Sequence, residues 1–271
     1  MSFTIAWPPD RLSANVTMLF PDVPVAERPA AAAHAGFRLI ESWWPFSTEL
    51  PTREEIAAFA GAVAAAEVSV SALNFSSGVR ARGERGIAAS PSKVERFAAH
   101  SDVAIEVAKA VGAPVLNLLY GNLEPGADFP SPTAVASISA TAEAAASAGI
   151  RLMVEPLSAL EAPDYALRTM SQARELGGAV LATCGVRIGV CADIYQLSLS
   201  DPAGLTTIES FADDIFNVQL ADTPGRHEPG TGTLPIAETL SRLATAGYDG
   251  TVALEYRPTT PVRLPEHAQE P

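Results

Sequence analysis

Lysine is almost missing from this chain: Lys93 and Lys109 are the only two, and Lys+Arg total 18 against 31 Asp+Glu. The resulting net charge of −13 excludes a protein built to grip nucleic acid or an anionic membrane, because phosphate affinity comes mostly from basic side chains. Cysteine is equally scarce. Cys184 and Cys191 are too few for a disulfide framework or a zinc site, and they read as reduced, buried thiols of a cytoplasmic protein. No run of about 18 apolar residues occurs, so no membrane-spanning helix is expected. Met1 to Asp10 lacks a basic region followed by an apolar stretch, so no signal peptide is expected either. Histidines number four, which disfavours a histidine-rich nuclease centre. Charged residues are only 18% while hydrophobic residues reach 48%, a mix that buries a core. The 271 residues suit a single α/β barrel of about 250 residues.

Short apolar runs alternate with longer helical patterns eight times. The expected strands are Leu12–Met18, Arg38–Trp43, Val68–Asn74, Pro114–Leu119, Ile150–Glu155, Val186–Ala192, Ile215–Leu220 and Thr251–Glu255. The expected helices are Val25–Ala35, Arg53–Ala66, Pro91–Val111, Ser131–Ala148, Asp164–Leu176 (closed by Gly177-Gly178), Pro202–Phe211 and Ile236–Ala246. The strand runs are nearly continuous in apolar residues, as parallel strands covered on both faces require. The prediction is a single-domain α/β fold, a (βα)8 TIM barrel over residues 1–258, with an irregular proline-containing tail over 259–271. A doubly wound sheet is the rival, but Phe20-Pro21-Asp22 after the first strand is no phosphate-binding glycine turn.

In such barrels chemistry sits at the C-terminal strand ends. Strands five to eight end in Glu155, Asp193, Gln219 and Glu255, each after an apolar run. Three carboxylates converging there repel one another unless a cation lies between them. Three acids and one amide, with no histidine, suit a hard divalent ion such as Mg²⁺ or Mn²⁺ better than zinc. The Gly- and Pro-rich loop after strand seven carries Arg226, His227 and Glu228 in a row. Arg226 can offer its fork to a carboxylate or to vicinal oxygens. Asn74 and Glu228 are further candidate substrate contacts; Asn117 and the Trp43-Trp44 pair are weaker ones. His34 and His100 fall in helices and read as structural, and His227 as a support for its loop.

Several segments carry a family resemblance. Ser13-Ala14-Asn15-Val16-Thr17-Met18-Leu19-Phe20 with Val23-Pro24, Val154-Glu155-Pro156-Leu157-Ser158, Val218-Gln219-Leu220-Ala221, Gly225-Arg226-His227-Glu228-Pro229-Gly230 and Leu254-Glu255-Tyr256-Arg257-Pro258 resemble the hydroxypyruvate isomerases, in order and spacing from about Leu12 to Pro258. That family belongs to the xylose-isomerase-like barrels. The resemblance implies a divalent metal held by Glu155, Asp193, Gln219 and Glu255, with Glu155 and Glu255 as catalytic acids and bases that move a proton between adjacent carbons of a small hydroxy-keto acid through an enediolate. It further implies that Arg226 binds the terminal carboxylate, and that hydroxypyruvate would become tartronate semialdehyde. Gln at position 219 separates the chain from ketose 3-epimerases, which place His there.

Three departures stand out. Gln196, a candidate substrate contact by this resemblance, replaces a His that the family carries after strand six. Thr231-Gly232-Thr233-Leu234-Pro235 lacks the usual Glu and Asn, and the family's Gly-Leu-x-Trp near the C-terminus is absent. These changes touch the substrate contacts and keep a second reading open: an isomerase or epimerase of another small keto-sugar acid, such as a 2-oxo-tetronate. A non-catalytic barrel is a third, disfavoured because every strand-end ligand is present. The expected partner is a small molecule, with neither nucleic acid nor membrane; a homo-oligomer is left open.

Overall fold

The computed structural model describes residues 4–124 and 126–267. Two short strands, β1 (Thr4–Ile5) and β10 (Glu266–His267), pair in parallel outside the main sheet. The eight apolar runs form β2 (Leu12–Asn15), β3 (Leu39–Ser42), β4 (Ser69–Asn74), β5 (Val115–Leu118), β6 (Arg151–Val154), β7 (Gly189–Asp193), β8 (Ile215–Leu220) and β9 (Thr251–Leu254). These close into one parallel barrel in sequential order, the ring completed where Leu12, Ser13 and Ala14 pair with Val252, Ala253 and Leu254. The predicted TIM barrel is the observed fold. The expected irregular tail contains one short strand, because β1 offers its backbone as a partner; residues 268–271 of that tail lie outside the described residues.

The helices are α1 (Val16–Leu19), α2 (Arg28–His34), α3 (Arg53–Ala65), α4 (Val94–Val111), α5 (Pro132–Ser147), α6 (Met170–Cys184), α7 (Ile194–Ser200), α8 (Pro202–Thr206) and α9 (Ile236–Thr245). Among the described residues no helix is long and apolar enough to cross a membrane. Local chemistry sets the boundaries. Thr52 and Glu55 form a reciprocal capping box for α3, and Ser131 with Pro132 opens α5.

Three helical expectations shift, each for a local reason. The helix expected over Asp164–Leu176 is α6, which begins at a Thr169–Gln172 capping box and runs through Gly177 and Gly178 to the left-handed Gly185. A mid-helix glycine costs only about 1 kcal/mol, and the buried stripe Met170, Ala173, Leu176 and Val180 holds the helix across both. The single helix expected over Pro202–Phe211 is instead α8, capped by Asp201, and a 3₁₀ segment, Ile208–Asp214; an unexpected helix, α7, precedes it because Asp193 caps its start. The first strand stops at Asn15, whose Oδ1 accepts the Met18 N–H and so starts α1.

The period of two along each strand places alternate residues in the barrel interior. Ala72, Val115, Met153 and Cys191 form a small apolar cluster there, two residues before Asn74, Asn117, Glu155 and Asp193. Much of the remaining interior is polar. Ser13 hydrogen-bonds Ser71 at 2.7 Å, and the Thr251 hydroxyl donates to Asn217 Oδ1 at 2.8 Å. Cys184 and Cys191 are both free thiols.

The long loop after β4 is tied down by ions. Glu84 accepts from Val79 N–H at 2.6 Å and from Lys93 Nζ at 2.8 Å, and Arg96 reaches it at 3.0 Å while gripping Glu49 on the preceding loop at 2.6 and 2.7 Å. Burial alone would raise the Glu84 pKa, but Arg96 and Lys93 override it and hold the group down to about 2. His100 adds a neutral link: Nε2 accepts the Ser76 N–H at 2.9 Å and Nδ1 lies 3.0 Å from the Glu49 carbonyl, with burial keeping its pKa low. A carboxyl depressed from 4.5 to about 2 contributes stability that is full above pH 4.5 and fades as pH falls toward 2. Glu84→Gln is therefore expected to be less stable than wild type by urea titration at pH 6, with the gap narrowing between pH 5 and pH 3; a pH-independent gap would rule out the ion-pair account.

Candidate active site

Glu155, Asp193 and Glu255 emerge at the C-terminal ends of β6, β7 and β9, all at most 5% exposed. One oxygen from each lies within 4.8 Å of the others. Gln219, on β8, is in register with Asp193 on β7 and Ala253 on β9. Its Nε2 donates to Glu41 Oε1 at 2.7 Å, while its Oε1 is buried with no hydrogen-bond partner among the described residues. An orphaned amide oxygen beside three buried carboxylates is a donor set that fits a hard divalent ion.

Each acid is held differently. Asp193 Oδ1 accepts the N–H groups of Tyr195 and Gln196, at 2.9 and 3.1 Å, at the start of α7; its Oδ2 faces Arg226 at 2.7 Å. Glu255 Oε1 accepts from Trp43 Nε1 at 2.6 Å and Asn15 Nδ2 at 2.9 Å, and Oε2 accepts from Arg226. Glu155 has a single side-chain partner, Asn117 Nδ2, at 2.6 Å to Oε2. Burial, then the Asp193 charge, pushes Glu155 up to about 8. Burial likewise raises Asp193, against the pull of Arg226, and lifts Glu255 well above the usual carboxylate range.

Arg226 is the cation of this cluster. Burial would lower its pKa, but Asp193, Glu255 and Glu155 outweigh that and raise it. Its backbone sits at φ 60, an uncommon value for a residue with a Cβ, and the loop around it is over-determined. Asp222 accepts the N–H groups of Thr223, Gly230, Gly232 and Leu234. A Cβ on Gly232 would lie 2.1 Å from the Thr223 carbonyl oxygen, so that position takes only glycine. The His227 ring lies 3.0 Å from the Arg257 carbonyl and supports the loop, as expected.

The acids open onto a cavity of about 760 Å³ lined in part by Trp43, Trp44, Asn74, Glu155, Gln196, Arg226 and Glu255. Asn74 and Gln196 stand at its wall, where the sequence placed them. Gln196 Oε1 accepts the Ser158 N–H at 2.9 Å, leaving its NH₂ as the group a ligand can use. Arg226 is partly engaged: its Nη2 donates to Asp193 and Glu255 and its Nε to the Glu255 carbonyl. The Glu228 carboxylate accepts the N–H and hydroxyl groups of Thr259 and Thr260, clamping the loop to the C-terminal segment.

Sequence reasoning missed Glu41. This acid on β3 is 1% exposed, and accepts from Asn15 and Gln219 at Oε1 and from Asn217 at Oε2. Asn15 donates to both Glu41 and Glu255, so one amide bridges two acids. The available signal was an acid inside the run Leu39-Ile40-Glu41, comparable to Glu155 after Leu152-Met153-Val154. Tyr165 was missed as well; its hydroxyl donates to the Glu155 carbonyl and accepts the Tyr120 N–H.

An eight-stranded parallel barrel with buried acids at its C-terminal mouth defines a class of metal-competent α/β barrels. The chain belongs to the xylose isomerase-like TIM barrel family, whose sequence model matches residues 29–270. It is 39% identical to the putative hydroxypyruvate isomerase of Streptomyces coelicolor, over 92% of this chain and 91% of that one. It is 30% identical to the hydroxypyruvate isomerase of Escherichia coli and to the 2-oxo-tetronate isomerase of Pectobacterium atrosepticum, again over 92% of this chain and 94% and 92% of theirs. A solved structure named AP endonuclease, family 2, from Brucella melitensis superposes with a TM-score of 0.82 at 29% identity, covering 92% of this chain and 94% of that one.

Arg226→Met leaves the acid cluster without its internal cation. With divalent ions chelated, it is expected to cost about 3 kcal/mol or more at pH 8, the scale of a broken buried pair. The acids have raised pKa values, so they take up protons as pH falls and the deficit shrinks toward pH 5. Urea unfolding at the two pH values measures this; an equal deficit at both would contradict it.

Proposed function

We propose that this chain is a divalent-metal-dependent isomerase of a small hydroxy-keto acid, most like the conversion of hydroxypyruvate to tartronate semialdehyde. One observation carries the reading: Glu155, Asp193 and Glu255 converge within 4.8 Å beside the unpartnered Gln219 oxygen, in a chain similar over most of its length to hydroxypyruvate isomerases. Glu155, Asp193, Gln219 and Glu255 would hold Mg²⁺ or Mn²⁺. Bound there, the ion would supply Lewis-acid polarisation of the carbonyl and charge balance for the enediolate.

The protein's own groups supply the proton transfers. Among the described residues Glu155 Oε1 has no hydrogen-bond partner, so it is free to take the proton from the carbon bearing the hydroxyl. Glu255 follows β9, three strands further round the ring, and returns a proton to the neighbouring carbon. Both of its oxygens are engaged, by Trp43 and Asn15 on one side and Arg226 on the other, so its basicity depends on those partners. Gln196 presents a neutral amide to the substrate. The similarity to 2-oxo-tetronate isomerases keeps a four-carbon keto acid as the second reading. The net charge of −13 and the absence of histidine from the acid cluster oppose the DNA chemistry that the name of the Brucella structure suggests.

A substrate panel with Mg²⁺ and Mn²⁺ tests the assignment, with hydroxypyruvate and a 2-oxo-tetronate as the lead compounds. Glu155→Gln and Glu255→Gln are each expected to keep the fold, by circular dichroism, and to lose at least about 10²-fold in kcat. Wild-type turnover in either would remove that glutamate from the chemistry.

Metal ligands must be deprotonated, and Glu155 sits at about 8 before any ion binds. Mn²⁺ affinity by calorimetry is therefore expected to rise from pH 6 to pH 8, with protons released on binding. Affinity flat over that range, with no release, would contradict the ligand assignment.

A further inference from the structure

Glu155 and Glu255 line the cavity, and four arginines share its wall with aromatic residues and with Glu49 and Glu161. Arg226 is held by Asp193 and Glu255, and Arg96 by Glu49 and Glu84. Arg80 and Arg85, from the loop after β4, line the same cavity, and among the described residues neither makes an ion pair. Arginines without an ion pair are common among the described residues, Arg28, Arg53 and Arg151 being others, so a ligand role for these two needs a positional reason.

Their placement supplies one. The Arg80 guanidinium carbon lies 5.3 Å from the centre of the Trp43 ring, and the Nε1 of that same indole donates to Glu255 at 2.6 Å. Arg80 is thus one indole away from a catalytic carboxylate, on a flat surface that fixes the plane of its fork. Arg85 is anchored by donating to the Glu84 carbonyl at 2.8 Å, and Glu84 is locked by Arg96 and Lys93, so the loop is held before any ligand arrives. Arg85 and Arg226 repel Arg80, and Glu161 attracts it. An incoming anion relieves that repulsion, whereas a neutral group does not.

We propose that Arg80 and Arg85, with Trp43 as platform, form the subsite for the substrate's terminal carboxylate. The proposal rests on the reading of the acid cluster as a metal site. A hydroxy-keto acid would then span the cavity, its oxygens toward the acid end and its carboxylate at the arginine rim. Selection for acids over neutral ketoses would come from these two side chains.

Two α-hydroxy acids that cannot be isomerised test this. Glycolate offers only a chelating hydroxyl and carboxylate, whereas tartronate carries a second carboxylate for the rim. Calorimetry with Mn²⁺-loaded protein is expected to show tartronate binding tighter than glycolate by about tenfold or more in wild type. In Arg80→Gln and in Arg85→Gln that preference should collapse while glycolate affinity stays unchanged, and Arg80→Lys should restore only part of it. A tartronate preference that survives in both variants overturns the subsite. Absence of glycolate binding in wild type would instead overturn the metal reading beneath it. A preference for 3-phosphoglycerate over tartronate that depends on Arg80 would replace the carboxylate by a phosphate and so refute the assignment.

Discussion

Three carboxylates crowded into a buried pocket are the constraint on which the rest of this structure depends. At interaction distances below 5 Å and away from water, they cannot all be ionised without a cation among them. The protein meets this in two ways at once. It raises the pKa values of Glu155, Asp193 and Glu255, and it threads Arg226 into the cluster from a loop. An ion bound at the cluster would take over part of the charge that Arg226 now balances.

The surrounding hydrogen bonds follow from the same constraint. Amides rather than hydroxyls face the acids: Asn15, Asn117, Asn217 and Gln219 each donate to a carboxylate. An amide donates without changing charge, so it can orient an acid without fixing its protonation state. Glu41 belongs to this shell. It accepts the Gln219 NH₂ and thereby leaves the Gln219 oxygen as the face of that amide open to a ligand. The loops are held with similar economy, Asp222 gathering four N–H groups and Glu228 tying the Arg226 loop to Thr259 and Thr260.

Much of this was readable in the chain. Glu155, Asp193, Gln219 and Glu255 each close an apolar run, and period-two alternation with parallel closure brings such ends together whatever the intervening helices do. Helix starts were readable at Arg53 and Pro132, each after a capping residue, and a helix end was misread at Gly177-Gly178, where tertiary packing overrode propensity. Glu41 escaped because a lone acid in a strand has the same local appearance whether solvated or buried. The partners of Arg226 and Glu228 were not legible because residues of one turn point to different groups, and those groups, on Glu255 and Thr259, lie about thirty residues away in sequence.

By itself, then, the sequence determined the barrel and the acids at its mouth, because both arise from local periodicity and from the order of elements along the chain. Only the tertiary structure decided which arginines pair with acids and which do not. Four guanidiniums line one cavity, and their chemistry is identical until burial and distance assign Arg226 and Arg96 to carboxylates and leave Arg80 and Arg85 without them. Electrostatic pairing falls off with separation in space, and separation in space is what a linear order of residues does not contain.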